Sequence, residues 1–265
     1  MNTPLPLAGR RALVTGADSD IGAAIARGLA RQGVDLILHH FAGAETASRL
    51  ADELRATGRG AALVQQDFLD AGSVGPFARR LLSGADAIDI LVHCAAIERR
   101  RPWAETPPGH VEQHMAVNVA AFLSLASTLV PPMAERGWGR VVAIGSVMAA
   151  RPRAETVAYA ATKAALFTAV RALARDVARH GVTMNVVSPG AIETARMAER
   201  YADPDFRAAV TAKIPAARPG LPADIAGPVA FLCSNEAAYV TGINLPVDGG
   251  WTIGDAPGVL PGETK

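Results

Sequence analysis

Residues 11–22, RALVTGADSDIG, run from a short apolar segment through a glycine-flanked turn into an amphipathic stretch, and the fold follows from how that junction is read. RALVT has the length and composition of a strand, and Ile21–Arg31 carries helical periodicity. Gly16 can take the positive φ that a tight strand-to-helix turn demands, while Gly22 permits close packing or close ligand approach. A turn of this kind sets phosphate groups against the free amides of a helix N-terminus. Asp20 stands where a third small residue is usual. At the first turn of a helix an aspartate can cap free amides with its carboxylate toward solvent, so Asp20 is read as a cap in a working phosphate turn.

Outward from that junction the same rhythm repeats. VDLILHH (34–40), AALVQQ (61–66), IDILVH (88–93), VVAIGS (141–146) and VTMNVVSP (182–189) are apolar runs, and helical patterns separate them. Runs apolar along their whole length suit strands buried on both faces, as in a parallel sheet covered by helices on each side. The expected architecture is a single-domain α/β fold, a Rossmann-like doubly wound parallel sheet in three α/β/α layers over residues 1–250, followed by a tail at 251–265. The Pro- and Gly-rich stretch at 189–222 is read as a loop over the active site.

Twenty-six basic and twenty-five acidic residues give a net charge of +1, which supplies no field for nucleic acid or an anionic membrane. A small-molecule partner is expected instead, and a cytoplasmic location, since the N-terminal sequence lacks a signal-peptide pattern. Cys94 and Cys233 lie in apolar stretches and read as reduced structural thiols; no metal is assigned.

The chemistry is concentrated in YAATK (159–163). A spacing of i, i+4 puts Tyr159 and Lys163 on one helix face, where the ammonium can lower the phenol's pKa and make it a proton donor or acceptor. Ser146 ends the strand VVAIGS at the carboxyl edge of the sheet, where open α/β folds bind ligands. Together, T-G-x-x-x-x-x-G at 15–22, Asn118 in VNVAAF, Ser146 and Tyr159-x-x-x-Lys163 resemble the short-chain dehydrogenase/reductase family over essentially the whole chain.

That resemblance implies hydride transfer between a nicotinamide cofactor and an alcohol or carbonyl. It makes Tyr159 the proton donor or acceptor, gives Ser146 the reacting oxygen and has Lys163 bind the nicotinamide ribose. Asn118 would hold a water in a proton relay. Pro189, Gly190, Ile192 and Thr194 of SPGAIET would wrap the nicotinamide, Gly16 and Ile21 would line the phosphate turn, and Asp67 with Phe68 would meet the adenine. The family's N-N-A-G is here His93-Cys94-Ala95-Ala96. Ala95 keeps the smallness needed beside the cofactor, and His93 is read as a core histidine. A homotetramer is also implied, with the helix from Val157 and the strand near Ile243–Val247 among its contacts.

Cofactor choice rests on a few side chains. HHF at the end of the second strand has neither the acid that holds both ribose hydroxyls nor an arginine for a 2′-phosphate. Asp18 would accept hydroxyl hydrogen bonds and repel a phosphate, and Ser19 replaces a basic residue common in NADP enzymes, so NAD is favoured. His39 and His40 keep NADP open as phosphate partners. The segments 97–105, 213–232 and 247–251 look most like the branch oxidising sugar acids, the gluconate 5-dehydrogenases and 2-dehydro-3-deoxygluconate dehydrogenases. Arg99 and Arg100 are expected to fork a carboxylate and Glu98 to bind sugar hydroxyls. A neutral sugar or cyclic ketone is the alternative substrate, and a catalytically silent cofactor sensor or scaffold the alternative class.

Overall fold

The computed structural model describes residues 5–84 and 87–253. Seven parallel strands form one sheet: β1 (Arg11–Thr15), β2 (Asp35–His40), β3 (Ala61–Gln65), β4 (Ile90–His93), β5 (Gly139–Ile144), β6 (Val182–Pro189) and β7 (Asn244–Val247). Their order is β3-β2-β1-β4-β5-β6-β7. The order reverses between β1 and β4, and a crevice opens there at the carboxyl ends of the strands. The fold class expected from the sequence is therefore the one observed.

Because successive strand residues face opposite ways, each strand feeds two cores. Val14, Leu38, Val92, Val142 and Val187 pack under α1 (Asp20–Arg31), α2 (Ala44–Ala56) and α9 (Pro222–Cys233). Leu13, Ile37, Leu91, Val141 and Val186 pack under α3 (Ala71–Leu82), α5 (Ala121–Glu135) and α6 (Val157–Val177). β4, β5 and β6 are buried along their whole length, which is why they read as unbroken apolar runs. α1 approaches α9 closely because Gly28 has no side chain; a Cβ there would lie 3.2 Å from that of Ala226. Two helical stretches, His110–Glu135 and Ala154–His180, are long and apolar enough to compare with a membrane span, yet Phe122, Leu125, Leu166 and Val170 on them are buried in the second core.

The 189–222 stretch is more ordered than the loop reading implied. It holds α7 (Ala198–Ala202) and α8 (Pro204–Thr211), the latter capped by Asp203 and started by proline. Arg207 fastens the pair by donating to Glu193 and to the Tyr201 carbonyl. The proposed tail at 251–265 begins with a single 3₁₀ turn, Trp251–Ile253, and the rest lies outside the described residues.

Candidate active site

The turn after β1 is built as a steric lock. Gly16 sits at φ +65°, and a Cβ on it would come within 2.9 Å of the Ala95 backbone; one on Gly22 would strike the Gly16 carbonyl oxygen at 2.2 Å. Glycine at 16 is thus required by the backbone it faces. Thr15 Oγ1 fixes that contact by accepting from the Cys94 and Ala95 amides at 3.0 and 3.1 Å.

Asp20 is not the cap. Ser19 has the extended backbone of an N-cap, its Oγ accepting from the Gly22 amide at 3.1 Å and donating to the Gly16 carbonyl at 2.7 Å. Asp20 is already helical, and a residue inside the helix is badly placed to cap it. Its carboxylate instead accepts from the amide of Ala195 at 2.6 Å, joining the phosphate turn to the segment after β6. Asp18 Oδ2 accepts from the Gly43 amide at 3.1 Å and so ties the turn to the loop after β2.

A cavity of about 620 Å³ follows the carboxyl edge of the sheet. Asp18, Ser19, Asp20 and Ile21 line one end, and Ser146, Tyr159 and Lys163 line the wall beside Pro189, Gly190, Ile192 and Thr194. Gly16 and Ala95 lie behind the turn as support. His40, Asp67 and Phe68 do not line the cavity. His40 is buried with Nδ1 unpartnered among the described residues, Asp67 accepts from the Leu69 amide, and Phe68 is stacked inside on His39. The direct cofactor contacts expected of His40 and Phe68 are therefore replaced by interior positions.

At the chemical end, Ser146 Oγ accepts from the Met148 amide at 3.1 Å, and its hydroxyl is hydrogen-bonded with Tyr159. Lys163 Nζ donates to the Ile144 carbonyl at 2.7 Å and stands 5.5 Å from the centre of the Tyr159 ring. Asn118 lies in a π-helical segment, Ala116–Ala120, between α4 (His110–Met115) and α5. Its amide group donates to the Ile97 carbonyl and Thr162 Oγ1, each at 3.0 Å, and its oxygen accepts from the Ile97 amide at 2.9 Å. Asn118 thereby pins the segment after β4 to α6.

The expected lowering of the phenol's pKa is reversed. Burial raises Tyr159 above the ordinary tyrosine value, Glu98 adds to it, and the Ser146 hydroxyl and Arg196 only partly oppose them. Burial also lowers Lys163 to about 8, against Cys94 and Glu98. The resting pair at neutral pH is a protonated phenol beside a cationic lysine, which is the state that gives a proton to a carbonyl oxygen. His93 is the core histidine expected, buried and pushed down to about 3, and burial lifts Cys94 to about 11, so it is a thiol.

Of the three residues expected to bind the substrate's carboxylate and hydroxyls, Glu98 and Arg100 face the cavity. Glu98 pairs with Arg100 Nε at 2.9 Å and with Arg196 Nη2 at 3.6 Å. Arg99 points away: its amide donates to His114 Nε2 at 3.2 Å, and its guanidinium donates to Gln113 on α4. Arg153, Arg196, Arg200 and Lys213 also line the cavity, with Met148, Tyr201, Phe206 and Trp251 as its apolar wall. None of these was singled out from the sequence. The i, i+4 spacing of Arg196 and Arg200 was the available signal, hidden in a stretch read as loop.

The residues fit a dinucleotide: free first-turn amides at one end, a glycine cradle that no Cβ could enter, and a proton-transfer pair at the other end. A family model described as enoyl-(acyl carrier protein) reductase matches residues 16–252. The 3-oxoacyl-(acyl-carrier-protein) reductase of Escherichia coli is 37% identical over 243 residues, 91% of this chain and 97% of that protein. The chain belongs to the short-chain dehydrogenase/reductase family. Among solved members, gluconate 5-dehydrogenase from Burkholderia cenocepacia J2315, in complex with NADP and tartrate, is 32% identical with a TM-score of 0.88. It covers 95% of this chain and 98% of its own. A 3-oxoacyl (acyl-carrier-protein) reductase from Agrobacterium tumefaciens C58 with NADP bound is 34% identical, TM-score 0.88, covering 93% and 95%. This short-chain dehydrogenase/reductase is accordingly an NAD(P)-dependent oxidoreductase of CH–OH groups, with a likeness to gluconate 5-dehydrogenases. The solved relatives described here hold NADP, so they lend no support to the preference for NAD read from the sequence.

Proposed function

We propose that the enzyme interconverts a secondary alcohol and a ketone on a sugar acid. The observation that carries this reading is the charge of the substrate end: Arg100, Arg153, Arg196, Arg200 and Lys213 line it with Glu98 as its acid. Guanidinium forks suit a carboxylate, and Glu98 between Arg100 and Arg196 holds them in place while accepting from sugar hydroxyls. A nicotinamide dinucleotide supplies or accepts the hydride when bound. Tyr159 moves the proton at the reacting oxygen, Ser146 donates to that oxygen, and Lys163 supports the phenol's proton exchange through its charge. Asp18 and Ser19 at the ribose end favour NAD over NADP, since a carboxylate repels a 2′-phosphate. The exposed apolar residues Val157 and Ile243 support the homotetramer expected from the family.

An acyl thioester is the second reading. It is favoured by the apolar wall of Met148, Tyr201, Phe206 and Trp251, and the basic residues would then meet the phosphate of its carrier arm. Turnover of gluconates, neutral polyols and an acetoacetyl thioester with each dinucleotide is the test. Preference for the gluconates, with KM for them raised about tenfold in Arg196→Ala, is the expected result. Preference for the thioester, or for neutral polyols, overturns the sugar-acid reading.

A further inference from the structure

We infer that His39 is a positioning residue of the dinucleotide site, one imidazole that holds the amide of Gly16 and the carbonyl of Gln66 together. His39 is 2% exposed, on β2 between the phosphate turn and the segment after β3. Its Nδ1 accepts from the Gly16 amide at 3.1 Å, and its Nε2 lies 3.0 Å from the Gln66 carbonyl oxygen. A neutral imidazole has one donor and one acceptor, so these two partners fix the tautomer: Nε2 carries the proton and Nδ1 the lone pair. The ring is also stacked on Phe68, centroids 4.3 Å apart and planes 4° apart, with Phe77 edge-on at 5.9 Å. The backbone adds a third tie, His39 O accepting from the Ala17 amide at 2.8 Å.

Gly16 and Gln66 are 50 positions apart, and the imidazole ties the phosphate turn, which lines the cavity, to the rigid segment after β3 behind it. An apolar ring at position 39 would fill the same space yet leave the Gly16 amide without its acceptor. A protonated ring would turn a donor toward that amide and break the same bond. Burial between Phe68 and Phe77 is the largest influence and opposes protonation; the Gln66 carbonyl and then Asp18 on the turn favour it, while His40 on the same strand and His93 on β4 oppose it. The opposing side prevails, which holds His39 neutral near pH 7.

His39→Phe keeps the stack and removes both side-chain bonds; His39→Gln restores a donor and an acceptor. Dinucleotide binding is measured by NADH and NADPH fluorescence titration, and turn mobility by amide exchange over residues 15–22 in the dinucleotide-free protein. His39→Phe is expected to weaken binding of both dinucleotides roughly ten- to a hundredfold, the range for one unsatisfied buried amide. Exchange in the turn quickens, kcat at saturating dinucleotide stays within about twofold, and His39→Gln recovers at least about half of the lost affinity on a logarithmic scale. Unchanged affinity in folded His39→Phe, or a loss that His39→Gln fails to recover, overturns the assignment. Nitrogen NMR of the wild-type histidines tests it without a variant: a proton on Nδ1 of His39 at pH 7 would refute it, and one on Nε2 supports it.

Discussion

Replacing Asp20 by asparagine or glycine removes a carboxylate that acts in two opposing ways. Its bond to the Ala195 amide is short, at 2.6 Å, and charge-assisted, but it lies at the protein surface. A bond of that kind contributes about 1 kcal/mol, so losing it raises the opening equilibrium of the 195–211 segment about fivefold. The same carboxylate sits on the helix end that would receive the diphosphate, where two unit charges about 4 Å apart in water would repel by about 1 kcal/mol. Relief of repulsion and loss of the tether oppose each other, and dinucleotide affinity in Asp20→Asn should shift by less than about tenfold in either direction. Two measurements separate the effects. Amide exchange over 195–211 in the dinucleotide-free protein reads the tether and should quicken about fivefold. The salt dependence of dinucleotide affinity reads the repulsion and should differ between wild type and Asp20→Asn, because salt screens exposed charges. Asp20→Gly adds the cost of glycine in a helix, about 1 kcal/mol, and is informative only beside the asparagine variant. If Asp20→Asn tightened the dinucleotide a hundredfold, the carboxylate would have to face the phosphates, and the bond to Ala195 would not be its resting arrangement. Unchanged exchange over 195–211 would refute the tether.

Tyr159→Phe should lower turnover by about a thousandfold while dinucleotide affinity, read by fluorescence titration, stays within about threefold. Tyr159 and Lys163 titrate as a pair, and with Lys163 near 8 the pair loses its first proton there; reduction should fall as pH rises through about 8 and oxidation rise to a plateau, read from kcat/KM in both directions. His39, lowered to about 4, and His93, lowered to about 3, are neutral when folded but take protons in the unfolded chain below about 6.5. The stability they confer is complete above that value and is lost as pH falls toward 4 and 3, about 2 kcal/mol for each by pH 5; urea midpoints at pH 7 and pH 5 check it, and His39→Gln should flatten the difference.

The fold was legible because strands buried on both faces must be apolar throughout, and the β1 turn could be read because Gly16 and Gly22 have no steric substitute there. Tyr159 and Lys163 were legible because one helix sets their spacing. What stayed hidden depends on chain crossings. The partner of Asp20 is a backbone amide 175 positions away, which carries no residue signal at all. Arg196 meets Glu98 only because α7 and α8 fold the post-β6 segment back over the sheet edge. Arg99 was misread for the converse reason. Adjacent arginines after a strand look equivalent in sequence, but the bond from the Arg99 amide to His114 turns that residue toward α4 and leaves Arg100 to the cavity.

The segment after β6 is tied to both ends of the site. The entrance of the 195–211 segment is fastened at adjacent residues by acids from neighbouring strand ends. Asp20, after β1, takes the Ala195 amide, and Glu98, after β4, takes the Arg196 guanidinium. β1 and β4 are paired, Thr15 directly beside His93, so the two anchors stand on one rigid base. Glu98 is itself held in place, since Ile97 before it is bound by Asn118 and Arg99 after it by His114. The anchored side chains are therefore fixed on the sheet side, and the freedom lies in the segment they hold. On the proposed sugar-acid reading, a substrate carboxylate that engaged Arg196 would compete with Glu98 for the guanidinium, one residue from the amide held by Asp20. On that reading, coupling between substrate and dinucleotide would need no long path through the core. It would require only that residues 195 and 196 move together, as adjacent residues at the start of one helical turn must.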